Sequence, residues 1–293
     1  MRDSASTLTL PTAVLPTRKA LTFSAGKLVP AGLILIALAF FTLVLLLPLV
    51  TVLIEALNKG LGFYWSSLLE GESIQAMQLT LLMAVLVVPL NAAFGIAAAW
   101  LLGKFRFPGR SFLITLIDLP LSVSPVVAGL VFVLMFGAQS ALGPWLAAHD
   151  IKIIFALPGI WLTSLFVTLP YVARELLPLL ESQGTDQEES AVMLGASGWQ
   201  TFRYISLPQM KWALIHGVIL CNARVMGEFG AVSVVSGHIR GQTNTLPLLV
   251  EILYNEYQFT AAFAVASLLA VLALVTLVIK RVAVRQSMTQ SEL

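Results

Sequence analysis

The sequence predicts an all-α integral membrane protein with six transmembrane helices. Three observations predict this fold class: the composition, the long uncharged runs and the placement of the basic residues. Hydrophobic residues make up 58% of the 293-residue chain and charged residues only 11%, whereas soluble domains carry about 25% charged residues. The composition therefore excludes an ordinary soluble domain.

Six apolar runs reach or approach the length of about 20 residues that a helix needs to cross a bilayer. In chain order they cover residues 28–57, 77–102, 112–136, 153–172, 212–235 and 259–279. Residues 28–281 are thus predicted to form a transmembrane domain. Residues 1–27 are rich in Ser, Thr and Pro and are predicted to be a disordered cytoplasmic tail, with a second cytoplasmic tail at 282–293. The first run is too long for a signal peptide, so we expect it to be retained.

The basic residues predict the orientation. If both termini are cytoplasmic, thirteen Lys and Arg side chains lie near the inner helix ends and three, Lys59, Lys152 and Arg240, lie outside. This asymmetry follows the positive-inside rule and predicts a multi-pass membrane protein with both termini cytoplasmic. The net charge of +2 results from it and gives no reason to expect a nucleic-acid partner.

Prolines interrupt several of the predicted spans. Each interior proline removes a backbone hydrogen bond, and irregular backbone at membrane depth persists only where protein or a water-filled cavity covers it. Pro120 and Pro125 flank Ser122 and Ser124 in the stretch DLPLSVSPVVAG. The pattern favours a translocating bundle over a set of simple membrane anchors.

The sequence contains no pattern of a catalytic or metal site. It has no Walker lysine motif, no GxSxG and no HExxH, which are the signatures of common ATPase, hydrolase and zinc-peptidase sites. Cys221 is the single cysteine, and the three histidines are far apart in the sequence. We therefore predict a subunit that is no enzyme and binds no cofactor or metal, so energy for active transport would enter through another subunit.

One polar stretch, residues 184–208, is predicted to form a cytoplasmic loop with a helix between the fourth and fifth spans. Thr185 or Asp186 can cap the helix, and acidic residues in the first turn suit its dipole. An apolar stripe at three- and four-residue spacing follows, and the helix is expected to end at Leu207-Pro208. The stripe comprises Ala191, Leu194 or Gly195, Gly198, Phe202 and Ile205.

Three surroundings could accept this stripe: the membrane surface, the chain's own core or a partner protein. A membrane-surface helix needs a basic polar face, but here the first turn carries three acidic residues. A core contact needs soluble mass, and the other loops are short. The pattern therefore favours a groove on a partner protein. Ala191, Gly195 and Gly198 would allow that partner to approach the helix backbone closely.

The same stretch carries the order E-S-A-x-x-x-G, nine residues, then I-x-L-P, running from Glu189 to Pro208. It resembles the E-A-A loop of ABC importer permeases, with Ser190 in place of the usual alanine. Further stretches are similar to sulfate/thiosulfate permease subunits of the CysW type, and the similarity covers nearly all of residues 30–280. These stretches are GKFRFPGR, DLPLSVSPVVAGLVF, VARELLPLLESQG, LGASGWQTFRYISLP and NARVMGEFGAVSVVSGHIRGQT.

The resemblance implies a type I ABC importer permease fold in which the cytoplasmic helix is a coupling helix. It implies four kinds of partner: a second homologous permease, a dimer of cytoplasmic ATPase subunits that use ATP and Mg²⁺, a periplasmic sulfate/thiosulfate-binding protein and membrane lipid. The ATPase-coupling residues it implies are Glu188, Glu189, Ala191, Leu194, Gly195, Ala196, Ser197, Phe202, Ile205, Leu207 and Pro208.

Candidate residues for an anion path are polar side chains in or beside the spans. Arg224 and Glu228 are four residues apart on the fifth span, where they either attract and gate the anion or neutralise each other structurally. The serines either donate hydrogen bonds to sulfate oxygens or join helices. His238 and Arg240 either meet the anion or a binding protein, or belong to an ordinary solvated loop. The serines are Ser122, Ser124, Ser233 and Ser236.

Two other functions fit the same sequence. The first is the same machine carrying molybdate or tungstate, because tetrahedral oxyanions share their chemistry. The second is a self-contained carrier driven by an ion gradient. The absence of two matching Gly/Pro-interrupted halves argues against carriers built from inverted repeats.

Overall fold

The structure is a computed structural model that describes residues 28–291. All of its regular secondary structure in this range is helical, with no strand there. Four of its helices are each long and apolar enough to cross a membrane, and the number rises to six when each of two bent helix pairs is counted as one span. The predicted all-α fold with six spans is therefore confirmed at the upper count. The predicted disorder of residues 1–27 concerns residues outside the described range.

The first apolar run forms helices α1 (Leu28–Phe41) and α2 (Leu47–Leu57), joined without a break by a π-helical turn at Thr42–Leu46. Of the described residues, those from Leu28 to Pro48 belong to one compact unit and those from Leu49 onward to another. The second unit begins with the end of α2 and the amphipathic α3 (Gly60–Leu69). Tyr64 of α3 shares a hydrogen bond of 3.0 Å with Ser267.

The second run gives one long helix, and the third gives a sharply bent pair. Helix α4 spans Gly71–Lys104 and contains Pro89. Helices α5 (Arg110–Ser122) and α6 (Pro125–Phe136) meet at 105°. Pro120 and Pro125 lie on either side of this bend, as expected where the helical hydrogen-bond ladder is interrupted.

The fourth run is longer than predicted. After the short α7 (Gly143–Ala148), helices α8 (Leu157–Thr168) and α9 (Pro170–Gln183) join into a 27-residue helix. Arg174, which lies beyond the predicted end of this run at residue 172, is part of α9. The helix continues because α9 is amphipathic, with Leu176 and Leu180 fully buried.

The last two runs also differ from the prediction in their ends. Helix α10 (Asp186–Met193) and α11 (Gly198–Thr201) precede α12 (Leu207–Met226), and α12 meets α13 (Gly230–Ser236) at 48°. Helix α14 (Leu246–Asn255) leads to α15 (Phe259–Ser291), so most of the predicted 282–293 tail continues the last helix.

The main core of the second unit lies where α4, α9 and α12 pack together. Glycines allow close backbone approach there, which is typical of membrane helices. A Cβ atom added at Gly95 would lie 2.6 Å from Val172 Cβ, and one at Gly103 would lie 2.7 Å from Leu180 Cβ. This packing brings the ends of α4 and α9 beside the 186–206 segment.

Candidate functional site

The polar stretch at 186–206 is two helices rather than the single one that the sequence predicts. Helix α10 ends at Met193 and α11 begins at Gly198. Gly195 has a φ of +90°, its N–H donates to Val192 O (2.9 Å), and the Ala196 N–H donates to Ala191 O (3.0 Å). This is a Schellman motif, which ends a helix at a left-handed glycine. A continuous apolar stripe therefore does not exist, because the chain changes direction at Gly195.

The helix restarts at Ser197 and does not stop at Leu207-Pro208. Ser197 and Gln200 form a reciprocal capping box, with the Ser197 N–H donating to Gln200 Oε1 at 2.7 Å. The chain then runs through a π-helical turn at Phe202–Ser206 into α12. Pro208 is tolerated because it lies just after this wider turn, where a regular i to i−4 bond is already lost. The predicted end of the helix at Pro208 is wrong.

The first turn of α10 carries the predicted acidic residues, but the predicted side-chain cap is absent. Asp186, Glu188 and Glu189 lie in its first turn. Thr185 occupies the N-cap position, but its hydroxyl donates to the Glu189 carboxylate at 2.6 Å rather than accepting a backbone N–H. The acidic first turn therefore interacts with the helix mainly through its dipole.

Several predicted coupling residues face their own chain. Glu188 Oε1 lies 2.7 Å from Lys104 Nζ at the end of α4. The Phe202 ring packs edge-on against Trp100 of α4 at 5.4 Å between centroids. Further partly buried members are Ala191, Ala196, Ile205 and Leu207. Glu188 and Phe202 thus fix the segment against α4, which leaves other residues to face outward.

The outward-facing residues include three consecutive apolar side chains at the break. Val192 is 55% exposed, Met193 88% and Leu194 90%; we call these three residues the Met193 patch. Of them only Leu194 was predicted as a coupling residue. Trp199 is also largely exposed and stacks on Phe202. The sequence did contain a signal for this patch. Val192, Met193 and Leu194 are three consecutive large apolar residues in a polar loop, and a single helical stripe cannot include all three. Glu189, Gly195, Ser197 and Pro208 are exposed as well.

The two helix breaks in the spans lie side by side. A Cβ atom added at Gly230, the first residue of α13, would lie 3.2 Å from Pro125 Cβ, the first residue of α6. Ser122 and Ser124 are exposed at the α5–α6 bend, and Ser124 precedes α6 without capping it through its side chain. The structure therefore brings the predicted serine pair close to the bend that follows Arg224.

Arg224 and Glu228 form the predicted ion pair, although not on one helix. Helix α12 ends at Met226, so Glu228 lies in the bend. Arg224 Nη1 is 2.6 Å from Glu228 Oε2, with side-chain exposures of 29% and 1%. Glu228 Oε1 also accepts the Ala231 N–H at 3.1 Å. The glutamate thus holds the arginine and caps α13 at the same time.

The remaining anion-path candidates are engaged within the chain. Ser233 is partly buried, and Ser236 is fully buried with its Oγ accepting the His238 N–H at 3.2 Å. His238 Nε2 lies 3.2 Å from Glu251 Oε2. Arg240 binds Glu72 at 2.8 Å and also binds Glu256.

The Arg240 guanidinium is therefore not a free anion receptor in this structure. Its hydrogen bonds to Glu256 and Glu72 raise its pKa above the ordinary value, so the side chain stays charged while both carboxylates neutralise it. The exposed-loop interpretation of Arg240 left open by the sequence fits this geometry better than direct contact with an anion.

Two further ionic contacts join α5 to α9. Asp118 lies 3.5 Å from Arg174 Nε of α9, and Arg110 binds Glu181 and donates to Leu102 O. Within residues 28–291, no three His, Cys, Asp or Glu side chains converge in a way that could hold a metal ion.

Comparison with known proteins identifies the family. The sequence profile of the binding-protein-dependent transport system inner membrane component family matches residues 94–287. The chain belongs to this family. Membership confirms the prediction of a membrane permease subunit rather than an enzyme.

Individual relatives cover most of the chain. It is 50% identical over 264 residues to the sulfate transport system permease protein CysW of Synechocystis sp., covering 89% of this chain and 96% of the relative. It is 36% identical over 241 residues to the sulfate transport system permease protein CysT of Escherichia coli strain K12, covering 82% and 87%. The predicted resemblance to CysW-type permeases is confirmed.

A solved structure confirms the fold at low sequence identity. The crystal structure of a bacterial alginate ABC transporter, in complex with alginate pentasaccharide-bound periplasmic protein, contains a chain that matches with a TM-score of 0.74. The identity is 16%, and the match covers 86% of this chain and 92% of that one. This likeness is evidence for the ABC permease fold alone.

Proposed function

We propose that this chain is a permease subunit of an ATP-driven importer of sulfate and thiosulfate in the bacterial inner membrane, with both termini cytoplasmic. The observation that carries the coupling part of the proposal is the Met193 patch. It is the exposed end of a segment that is fixed to α4 and continuous with α12. The substrate is proposed from the names of the CysW and CysT relatives.

The proposed docking partner of the Met193 patch is a cytoplasmic ATPase subunit. Met and Leu side chains that are about 90% exposed beside an acidic turn suit an apolar cleft with a basic rim on another protein. ATP and Mg²⁺ would bind in that partner. A homologous second permease and a periplasmic binding protein would complete the importer, as two sulfate permeases of different type are similar to this chain.

The proposed anion path passes the paired breaks at Ser122–Pro125 and Gly227–Gly230. Broken membrane helices are typical of transport sites because their freed backbone groups can face a polar substrate. Exposed Ser122 and Ser124 can donate to sulfate oxygens, and the N-terminus of α6 favours negative charge. Partly exposed Arg224 lies on the helix that leads to the second break, while Glu228 limits its attraction and so avoids trapping the ion.

Uptake by the reconstituted complex tests the proposal. The chain is co-purified with the products of neighbouring genes and placed in proteoliposomes with binding protein and radiolabelled sulfate. Uptake is expected to require ATP hydrolysis and to be suppressed by excess unlabelled thiosulfate, while molybdate and tungstate have little effect. Uptake of radiolabelled molybdate or tungstate in place of radiolabelled sulfate would support the other oxyanions instead. Uptake by this chain alone, driven by an ion gradient, would contradict the ABC mechanism.

A charge placed in the Met193 patch is expected to weaken ATPase binding. Met193→Asp and Leu194→Asp each put a carboxylate in the apolar contact, and co-purified ATPase should fall about tenfold, as for a residue central to an interface. Because both side chains are exposed, the chain's thermal stability should change little. Ile151→Asp, at an exposed apolar position in the α7–α8 loop, is the matched control. Unchanged ATPase recovery with both patch variants would place the docking surface elsewhere.

A further inference from the structure

A partly buried ion pair ties the 186–206 segment to α4. Lys104 is the last residue of α4, and its Nζ lies 2.7 Å from Glu188 Oε1. The side chains are 5% and 15% exposed, and the same Nζ also donates to Gly184 O. Removing one member would leave the other charge without its partner in a poorly solvated position, so the two groups hold each other in place.

Glu188 also contacts the helix that follows the break. Ser206 Oγ donates to the same Glu188 Oε1 at 3.1 Å, and Ser206 is fully buried. Beside it, Gln209 donates to Gln187 through their side-chain amides. One carboxylate therefore joins three parts of the chain: α10, the end of α4 and the start of α12.

The carboxylate is held in its ionised form. Burial would raise the pKa of Glu188, but hydrogen bonds from Lys104, its own backbone and Ser206, together with the charge of Lys104, lower it below the ordinary value. A lowered pKa means that the pair contributes its stability at neutral pH and loses it only as the carboxyl becomes protonated in acid. We therefore expect the contact at the neutral pH at which uptake is measured.

We infer that the Lys104–Glu188 pair is the joint through which displacement of the docking segment reaches α4. This inference rests on the proposed function. It makes Glu188 a positioning residue rather than a contact with the ATPase, because its carboxylate faces Lys104 and Ser206 while the Met193 patch faces outward. Without the joint, α10 would still dock, but its displacement would no longer be passed to α4 through this ion pair.

Coupling efficiency is the first test. Lys104→Met, Glu188→Gln and the exchanged pair Lys104→Glu/Glu188→Lys are compared in the reconstituted complex by sulfate transported per ATP hydrolysed. Each single variant should lower this ratio about fivefold or more, a size usual for contacting charged residues, with co-purified ATPase unchanged. The exchanged pair should regain part of the loss. Glu181→Gln is the matched control, because Glu181 pairs with Arg110 outside the segment and its ratio should stay near wild type. A normal ratio in both single variants would overturn the inference.

A distance measurement on the full chain without ATPase is the second test. Spin labels at Met193→Cys and Arg106→Cys, both exposed, report the separation of α10 from the end of α4 in a Cys221→Ala background. We expect one narrow distance distribution that stays narrow with Glu181→Gln and broadens with Glu188→Gln. A narrow distribution in Glu188→Gln would overturn the joint. Absence of ATP-driven uptake by the wild-type complex would instead overturn the proposed function, and the distance result would remain decisive for the joint.

Discussion

Replacing Gly195 with leucine is expected to lower ATP-driven sulfate uptake by more than about tenfold, while the chain still inserts into the membrane. Gly195 has a φ of +90°, a conformation that costs a residue with a side chain about 1–2 kcal/mol. Leucine there favours continuing α10 past Met193, which would turn Leu194 and the rest of the Met193 patch away from their present direction. Uptake is measured in proteoliposomes, and insertion by the yield of monodisperse protein after detergent extraction.

Gly198→Ala is the control that separates two roles for glycine in this segment. Gly198 has ordinary helical geometry, and a Cβ atom added there would meet nothing within 4 Å. If glycine serves only to end α10, Gly198→Ala should keep full uptake. Equal losses in both variants would mean that a partner packs closely on the backbone, as the sequence suggested. Wild-type uptake by Gly195→Leu would contradict the need for a break.

Replacing Arg224 with methionine is expected to lower the free energy of unfolding by about 3 kcal/mol, since it leaves a buried carboxylate without its counter-charge. The Glu228 side chain is 1% exposed and cannot turn to water without uncapping α13. The loss is measured as a lower midpoint of thermal unfolding in detergent. Arg174→Met is the matched control: the Arg174–Asp118 pair is 59% and 36% exposed, and exposed pairs contribute about 1 kcal/mol at most.

The double variant Arg224→Met/Glu228→Gln decides between the two roles of the pair. It removes both charges, so much of the lost stability should return. If the pair is purely structural, uptake returns with stability. If Arg224 attracts the anion, the double variant is stable but transports poorly. Full stability of the single Arg224→Met variant would contradict the buried-pair geometry itself.

The transmembrane helices could be predicted because the thickness of the bilayer sets the length of the apolar run that crosses it. A run such as 77–102 must be helical in lipid, where backbone groups have no other partner, and α4 covers it. The bend at Ser124 could also be anticipated, since Pro120 and Pro125 mark it. The bend at Glu228 could not, because Gly227 and Gly230 flank it without a proline and glycine is common in membrane helices.

The sequence predicted where in the chain the candidate site lies, but not the backbone conformation of that segment. The motif from Glu189 to Pro208 located the segment, yet its spacing was compatible with one helix, and only the φ of Gly195 reveals the break. Ionic partners were hardest to predict, because Lys104 and Glu188 are far apart in the sequence and meet only through the packing of α4 against α9. The Arg224–Glu228 pair was found because the two residues are only four apart, and they remain close although Glu228 lies beyond the end of α12.

We expect the uninterrupted helix from Gly198 to Met226 to tilt as one rigid body when a partner docks at its Trp199 end. At a rise of 1.5 Å per residue, its length is about 43 Å. A tilt of about 10° at the Trp199 end would therefore shift the Arg224 end by about 7 Å. The π-helical turn at Phe202–Ser206 and Pro208 lie near the docking end, so a small bend there would be amplified along most of the rod. A modest rotation by a docked partner would thus suffice to rearrange the bend that holds Glu228.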